Sequence, residues 1–390
     1  MTVSADVMST WVSRLVQIPS VNPLHAGPNS EKPGELAIAL ALAEWFESYG
    51  GSEVILDDVV EGRPNVYGFF PGRTDRLVAI DAHLDTVTVE NMTDPPFDGR
   101  IADGHVWGRG SLDTKASLAV MCALLEDWAA TGRRPEPTLL VVGTIGEEGG
   151  GLLGAVRFRK WAEERHLDID QLVICEPTNC APIHGHKGGI GLRITVRGES
   201  AHSSTPERGR NAIVAAARIV LAVQAYHDEL IARPATTAVG TGTVLTATIV
   251  GGLANNVVPD RCVLTVGRRI APGEDPRTEF GRLSEIARAA SPLPIDIESI
   301  LPEIDGLGPG SPAFYQSPNS DLVRTLSAST GRPPACAPFG TNALRYDSFA
   351  REKVVFGPGS IDDAHQSTER VRIDDLLTIA NAYTAWLNPS

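Results

Sequence analysis

The chain has 390 residues, and at about 100–200 residues per domain this length predicts two domains. Hydrophobic residues make up 42% and charged residues 21%, as in ordinary globular proteins, which excludes the disordered, collagen-like and coiled-coil classes. The 34 Lys and Arg against 48 Asp and Glu leave a net charge of −14. This charge repels phosphate backbones, so nucleic acid is not an expected partner.

No membrane partner is expected either, because the longest apolar runs have eight residues whereas a membrane helix needs about 20. The N-terminus has no basic start, no apolar stretch and no small-residue cleavage site, which predicts a cytoplasmic location. The five cysteines form no C-x-x-C pair, which disfavours both disulfides and thiolate metal sites.

The first half of the chain alternates between helical and strand patterns. Helices are predicted over 6–17, 35–49, 112–130 and 152–164, and strands over 52–56, 66–70, 77–81, 138–145 and 171–175. This alternation predicts an α/β fold, in which a mainly parallel sheet is flanked by helices.

The pattern changes to α+β from residue 191. Strands are predicted over 191–197, 243–250, 262–268 and 295–300, with helices over 211–227 and 277–289, before a strand at 354–356 and a helix at 373–387 restore the first pattern. This order predicts that a second domain, residues 187–301, is inserted into a first domain formed by residues 1–186 and 302–390.

The apolar segment 77–85 ends in His83 and Asp85, whose side chains share a strand face because they are two residues apart. A metal-ligating histidine usually gives its other ring N–H to an orienting partner, and Asp85 could be that partner. A purely structural hydrogen-bonded pair is the alternative for this motif alone.

Two adjacent acids, Glu147 and Glu148, follow the buried strand 138–145, at the sheet edge where open α/β folds bind ligands. Such close carboxylates repel each other unless a cation lies between them. The glycines at 149, 151 and 154 also match a dinucleotide-binding fingerprint. Carboxylates placed before these glycines would face the pyrophosphate of a dinucleotide, so a dinucleotide-binding oxidoreductase is disfavoured. Titration with NAD would test this alternative.

Three further residues occupy polar turns next to predicted strands or helices, namely Asp113 in GRGSLDTK, Glu176 in CEPT and His365 in GPGSIDDAH. Each alone could be a helix cap or a solvated side chain. With His83 and Glu148 they supply five nitrogen and oxygen ligands without sulfur, which suits two divalent cations. Zn²⁺ is the favoured ion, and Mn²⁺ or Co²⁺ would also fit.

Six motifs in order, AHLDTV, GRGSLDTK, GEEGG, CEPT, GESAHSSTP and GPGSIDDAH, resemble the acetylornithine deacetylase and succinyl-diaminopimelate desuccinylase family of dinuclear metallohydrolases. Carboxypeptidase G and aminoacylases belong to the same family. The resemblance implies that His83 and Glu176 bind one metal ion, that Glu148 and His365 bind the other, and that Asp113 bridges them.

The resemblance also implies roles outside the metal ligands. Glu147 would be the general base and acid, and Asp85 would orient the neighbouring histidine ligand. The inserted domain would be a lid that forms a homodimer, with His202 of GESAHSSTP reaching the active site of the partner subunit. Asn256 and Arg269 match positions that help to hold the carboxylate of the substrate.

The implied activity is removal of an acetyl or similar N-acyl group from a small N-acyl amino acid, as in acetylornithine deacetylases. Desuccinylase, dipeptidase or carboxypeptidase activity, and a non-catalytic metal-binding role, remain alternatives. Gly146 stands where the family often has Asp, and Asn342 stands where deacetylases usually carry an acid. Asn342 is therefore predicted to remove a charge partner for a cationic ornithine side chain.

Overall fold

The computed structural model describes residues 3–301, 309–346 and 348–388. Over these ranges the α-helices are α1 Ala5–Val16, α2 Leu36–Ser48, α3 Lys115–Thr131, α4 Leu153–Glu164, α5 Ala212–Ile231, α6 Pro276–Ala290, α7 Asp321–Thr330 and α8 Ile373–Leu387. No helix of this described part has the combination of length and apolar character needed to cross a membrane.

Sixteen strands occur within the same described ranges, and six of them are only two to four residues long. The strands are β1 Glu53–Val60, β2 Arg63–Phe70, β3 Leu77–His83, β4 Ile101–Ala102, β5 His105–Trp107, β6 Thr138–Thr144, β7 Ile169–Ile174, β8 Ile183–His186, β9 Gly188–Arg197, β10 Thr243–Gly251, β11 Arg261–Ile270, β12 Ile295–Ser299, β13 Phe314–Tyr315, β14 Ala335–Ala337, β15 Ala350–Val355 and β16 Arg370–Arg372.

The chain forms two compact units. The first runs to His184 and resumes over Gln316–Ala335 and from Thr341, and the second comprises Gly185–Tyr315 with Cys336–Gly340. The sequence predicted the inserted segment at 187–301. Residues 302–308, which directly follow the predicted end of this segment, lie outside the described part of the chain.

The large sheet of the first unit is mixed. Strands β6, β3, β7 and β15 are parallel neighbours in its centre, whereas β1 and β2 pair antiparallel with each other and β2 pairs antiparallel with β6. The expectation of an α/β fold with flanking helices is confirmed, and its mainly parallel character is limited to these central strands. Strands β1 and β2 are antiparallel because Glu61 and Gly62 form a two-residue hairpin turn between them, with Gly62 at a φ of 71°.

Helices cover both faces of this sheet. Alternation along β2 sends Phe70 to one face, where its ring lies 5.6 Å from that of Phe46 in α2. Tyr67 points to the opposite face, where its ring lies 4.1 Å from that of Trp161 in α4. Helices α1, α3 and α8 pack together over the main hydrophobic core, so the central strands are buried on both sides.

The second unit is an antiparallel sheet with two helices. Its strand order is β10-β11-β9-β12, and every second residue of β9 and β11 is buried. The buried side chains pack against α5 and α6 in a separate core. One face of the sheet is therefore covered, as expected for an antiparallel α+β layer.

Candidate metal centre

The carboxyl ends of the central parallel strands bring the candidate residues to one edge of the first unit's sheet. In the pairing of β3 with β6, His83 lies opposite Thr144, three residues before Glu147. Glu176 follows the neighbouring strand β7, and His365 lies in the loop after β15. Parallel register thus collects side chains from distant parts of the sequence where open α/β sheets bind their ligands.

The carboxylate of Asp113 faces two histidines. Its Oδ1 lies 3.0 Å from Nε2 of His83, and its Oδ2 lies 3.1 Å from Nε2 of His365. The same Nε2 of His365 lies 3.0 Å from Oε1 of Glu148. One donor atom each from His83, Asp113 and Glu148 falls within 4.8 Å of the others, as a cation site requires. A carboxylate with a different histidine at each oxygen suits a bridge between two cations.

These contacts shift the protonation of the histidines and of the carboxylate between them. Burial alone would raise the pKa of Asp113, but hydrogen bonds with His365 and His83 hold that pKa well below its usual range. Hydrogen bonds with Asp113 and Glu148 raise the pKa of His365 to about 10. Burial opposes protonation of His83, yet the hydrogen bond and charge of Asp113 raise its pKa well above the usual value.

The remaining carboxyl groups of the cluster resist ionisation. Burial raises the pKa of Glu147 to about 8, and the charge of Glu148 adds to this effect while that of His83 opposes it. Burial, with the charges of Asp113 and Glu147, also raises the pKa of Glu176 well above its usual value. Divalent cations relieve this kind of repulsion because they favour the ionised carboxylates. The donor set therefore fits a metal site.

We expect cation binding to the apoprotein to tighten as the pH rises from 6 to 8. Asp113 raises the pKa of His83, and Asp113 with Glu148 raises the pKa of His365 to about 10, so protonation of the rings competes with a cation, which must displace protons from its ligands. Calorimetric titration with Mn²⁺ in buffers of different ionisation enthalpy measures both the affinity and the protons released. The variant His105→Ala, which changes a histidine bonded to the main chain of Asp103, should behave like the wild type. Affinity that is independent of pH, with no proton release, would contradict this assignment.

Residue 85 orients His83 through its main chain. The carbonyl oxygen of Asp85 lies 2.9 Å from Nδ1 of His83, whereas the nearer carboxylate oxygen is 3.8 Å away, beyond hydrogen-bond length. The carboxylate instead accepts the main-chain N–H groups of Glu147 and Glu148, each at 3.0 Å, and the side-chain amide of Asn22 at 2.8 Å. Its main contacts therefore hold the turn that carries the two glutamates.

The glycine pattern after these glutamates has a packing explanation. A Cβ added to Gly154 would lie 2.4 Å from the main-chain nitrogen of Ile145, so only glycine permits this close approach of α4 to the end of β6. The carbonyl of Gly154 also accepts a hydrogen bond from Asn65. Packing of α4 against the end of β6 therefore explains Gly154, the last glycine of the fingerprint, without a bound dinucleotide.

The three predicted residues of the inserted segment lie in the second unit. His202 is exposed, its Nδ1 is 2.7 Å from the hydroxyl of Ser204, and its backbone forms a bridge with Val257. Asn256 lies in the adjacent segment, where its carbonyl accepts the N–H of Ser203. Arg269 is exposed on β11. Their roles toward a substrate remain predictions.

Asn342 has a partner within the protein. Its side-chain amide donates to Oδ2 of Asp81 and to the hydroxyl of Thr144, both at 3.0 Å, and Asn342 is only 2% exposed. Asp81 also accepts hydrogen bonds from Thr144 at 2.7 Å and from Tyr346 at 2.6 Å. Asn342 therefore supplies a hydrogen bond to the buried carboxylate of Asp81. An acid at position 342 would instead repel Asp81.

Sequence reasoning missed two residues that contact the turn before Asp113. Arg109 and Glu369 form an ion pair of 2.5 Å and are each 1% exposed. Arg109 lies inside the GRGSLDTK motif and Glu369 lies four residues after His365. The charge of Arg109 inside the motif was an available signal for that residue, but nothing in the local sequence indicates that Arg109 meets Glu369.

Imidazole and carboxylate donors lie near the ends of the parallel strands and surround the carboxylate of Asp113. An α/β sheet with donors of this kind at its strand ends is typical of a metallohydrolase. Residues 79–388 match the model of the peptidase family M20/M25/M40, and the chain belongs to this family. It is therefore a hydrolase that acts on amide bonds.

Individual relatives agree with this assignment. An acetylornithine deacetylase of Myxococcus xanthus is 32% identical over 317 residues, which covers 77% of this chain and 76% of that protein. A tripeptidase of Staphylococcus aureus has a similar structure, with a TM-score of 0.75, 21% identity and coverage of 99% and 98% of the two chains. A dinuclear metal-binding peptidase of Bacillus subtilis gives a TM-score of 0.66, 17% identity and coverage of 98% and 97%. The structural likenesses show the fold.

Proposed function

We propose that this protein removes an acyl group, acetyl or similar, from the nitrogen of an amino acid, using two divalent cations. The observation that carries the proposal is the carboxylate of Asp113, which faces His83 with one oxygen and His365 with the other. The acetylornithine deacetylase of Myxococcus xanthus supports the choice of an N-acyl amino acid as substrate.

The cations would be held by five side chains. Glu176 and His83 would bind one, Glu148 and His365 would bind the other, and Asp113 would be shared. Bound cations of this kind polarise a carbonyl and make water acidic enough to attack at neutral pH. Zn²⁺ suits these imidazole and carboxylate ligands, and Co²⁺ or Mn²⁺ also fits. Metal analysis of the purified protein tests both number and identity.

Glu147 would move the proton. Its ionised carboxylate takes a proton from the attacking water and returns it to the departing amine nitrogen. The hydrogen bonds from the main chain of Glu147 and Glu148 to Asp85 fix the turn from which this carboxylate projects. Proton transfer by a positioned group of this kind contributes about 10²–10⁴ in rate.

The second unit would complete the site in a homodimer. His202 would donate a hydrogen bond to the developing oxyanion in the partner subunit, and Asn256 and Arg269 would bind the substrate carboxylate. Exposure of His202 and Arg269 leaves both side chains accessible for such contacts.

A substrate panel tests the proposed activity. Metal-reconstituted protein should release acetate from N-acetyl amino acids, N-acetylornithine among them, faster than it cleaves N-succinyl compounds or dipeptides. The tripeptidase likeness favours peptide cleavage as the second candidate. Faster dipeptide cleavage would therefore replace deacylation by peptidase activity, and no hydrolysis of any substrate by protein with both cations bound would favour a non-catalytic role.

We expect two inactive variants, Glu147→Ala and His202→Ala, to restore activity when their subunits exchange. In each mixed dimer one site would combine an intact Glu147 with an intact His202 from the other chain. About a quarter of wild-type activity should return, because half of the dimers are mixed and one of their two sites is intact.

Each variant incubated alone is the control and should stay inactive. Exchange is verified with differently tagged subunits. A mixture that stays inactive although mixed dimers have formed would refute the action of His202 across the dimer.

A further inference from the structure

The turn that carries Asp113 is held by a glutamate from the far end of the chain. Oε1 of Glu369 accepts the main-chain N–H groups of Leu112 at 3.1 Å and of Asp113 at 3.2 Å. The carbonyl oxygen of Glu369 accepts the N–H of Gly108 at 3.1 Å, so the turn is fixed at both of its ends. All three hydrogen bonds join Glu369 to the main chain of the turn, and none of the three involves a histidine ring.

The guanidinium of Arg109 links Glu369 to the loop that carries His365. Nη1 donates to Oε2 of Glu369 at 2.5 Å, and Nε donates to the carbonyl of Thr88 at 2.9 Å. Nη2 donates to the side-chain oxygen of Asn91 at 3.0 Å, and the amide of Asn91 donates to the carbonyl of His365 at 3.2 Å. One planar group therefore connects the turn of Asp113 with the loop of His365.

Stability alone does not account for this pair. Glu369 and Arg109 are both 1% exposed, and a buried ion pair often stabilises a fold no more than apolar side chains of similar volume would. The arrangement does set the relative position of two groups whose donor atoms are 3.1 Å apart, Oδ2 of Asp113 and Nε2 of His365. Cation affinity depends steeply on such positions, since changes in the groups behind the ligands typically cost 10- to 100-fold.

We propose that Arg109 and Glu369 are positioning residues that set the spacing between Asp113 and His365 for cation binding, with Asn91 as the link to His365. The proposal rests on the metal site of the proposed function. It predicts a defect in cation affinity that exceeds any effect of these residues on folding.

Calorimetric titration of folded apoprotein with Mn²⁺ or Co²⁺ tests this proposal. Glu369→Gln keeps an oxygen for the two N–H groups but loses the charge opposite Arg109, and it should weaken binding of at least one cation by about 10- to 100-fold. Asn91→Ala cuts only the link to His365 and should weaken one cation while leaving the other unchanged. Thermal unfolding is recorded for each variant.

The matched control is Glu279→Gln in the second unit. Glu279 is 7% exposed and also pairs with a buried arginine, Arg268, at 3.3 Å. This variant should lose thermal stability but bind both cations as the wild type does. If Glu369→Gln behaves in the same way, with a lower Tm and wild-type cation affinity, the pair is merely structural and the proposal is overturned.

Arg109→Lys decides the question if Glu369→Gln does not fold. Lysine keeps a charge opposite Glu369 but cannot donate in the planar fork that reaches Thr88 and Asn91 together. Weakened cation binding in folded Arg109→Lys supports the proposal, and wild-type affinity overturns it. Wild-type protein is titrated first. Failure to bind two cations refutes the proposed function, whereas two cations bound with wild-type affinity by every variant refute only the positioning roles.

Discussion

Asp113→Ala should abolish hydrolysis and reduce the bound cations to fewer than two per chain. Asp113 is the side chain whose two oxygens face His83 and His365 at 3.0 and 3.1 Å. Without it, two cations at this site would repel each other with no shared anion between them. Metal analysis after dialysis, together with the rate on the best substrate of the panel, measures both losses.

The control for this variant is Asp296→Ala in the second unit. Asp296 forms an exposed ion pair with Arg197 at 2.5 Å, so its removal should change neither cation number nor rate. Exposed pairs of this kind contribute only about 0–1 kcal/mol. Two tightly bound cations in Asp113→Ala would show that this carboxylate does not bridge them.

Glu147→Gln should keep both cations and lower kcat by about 10²–10⁴. Glutamine preserves the shape of the side chain and the main-chain hydrogen bond to Asp85, but it cannot accept a proton from water. The wild-type rate should rise with pH as Glu147 ionises, and this rise should be lost in the variant. Bound cations favour the carboxylate, so the midpoint in the loaded enzyme should lie below the value of about 8 for the metal-free carboxyl.

Glu148→Gln is the matched control, because it makes the same change at the adjacent residue. Oε1 of Glu148 lies 3.0 Å from Nε2 of His365, so this variant should lose affinity for a cation. If Glu147→Gln loses a cation and Glu148→Gln keeps both, then Glu147 is the metal ligand and Glu148 is the proton-transfer group, the reverse of the proposed assignment.

The hairpin of β1 and β2 at the edge of the large sheet was not predicted from the sequence pattern. The strands predicted at 52–56 and 66–70 extend to Val60 and Arg63, and only Glu61 and Gly62 separate them. Pro64 within the second strand obscured the pattern, although a glycine in a two-residue gap between strands is a hairpin signal. The prediction of a mainly parallel sheet therefore holds for the central strands and not for this antiparallel edge, while the α/β class with flanking helices is confirmed.

For Asp85, the sequence predicted the partner of His83 but not the atom that makes the contact. Spacing correctly paired residues 83 and 85, because alternate residues on an extended chain share a face. Spacing could not tell whether the ring of His83 would meet the carboxylate or the carbonyl of Asp85. That choice depends on the main chain of Glu147 and Glu148, which arrives from β6 and attracts the carboxylate to its N–H groups.

The sequence by itself determined the family, the α/β class and the donor types at the ends of strands, because these follow from local composition and short motifs. Only the tertiary structure decided that Asp113 faces two histidines, that Asn342 satisfies Asp81, and that Arg109 meets Glu369 across 260 residues of chain. The reason is physical: buried polar groups must find hydrogen-bond partners, and those partners are supplied by the folded chain with no regard to their distance in sequence.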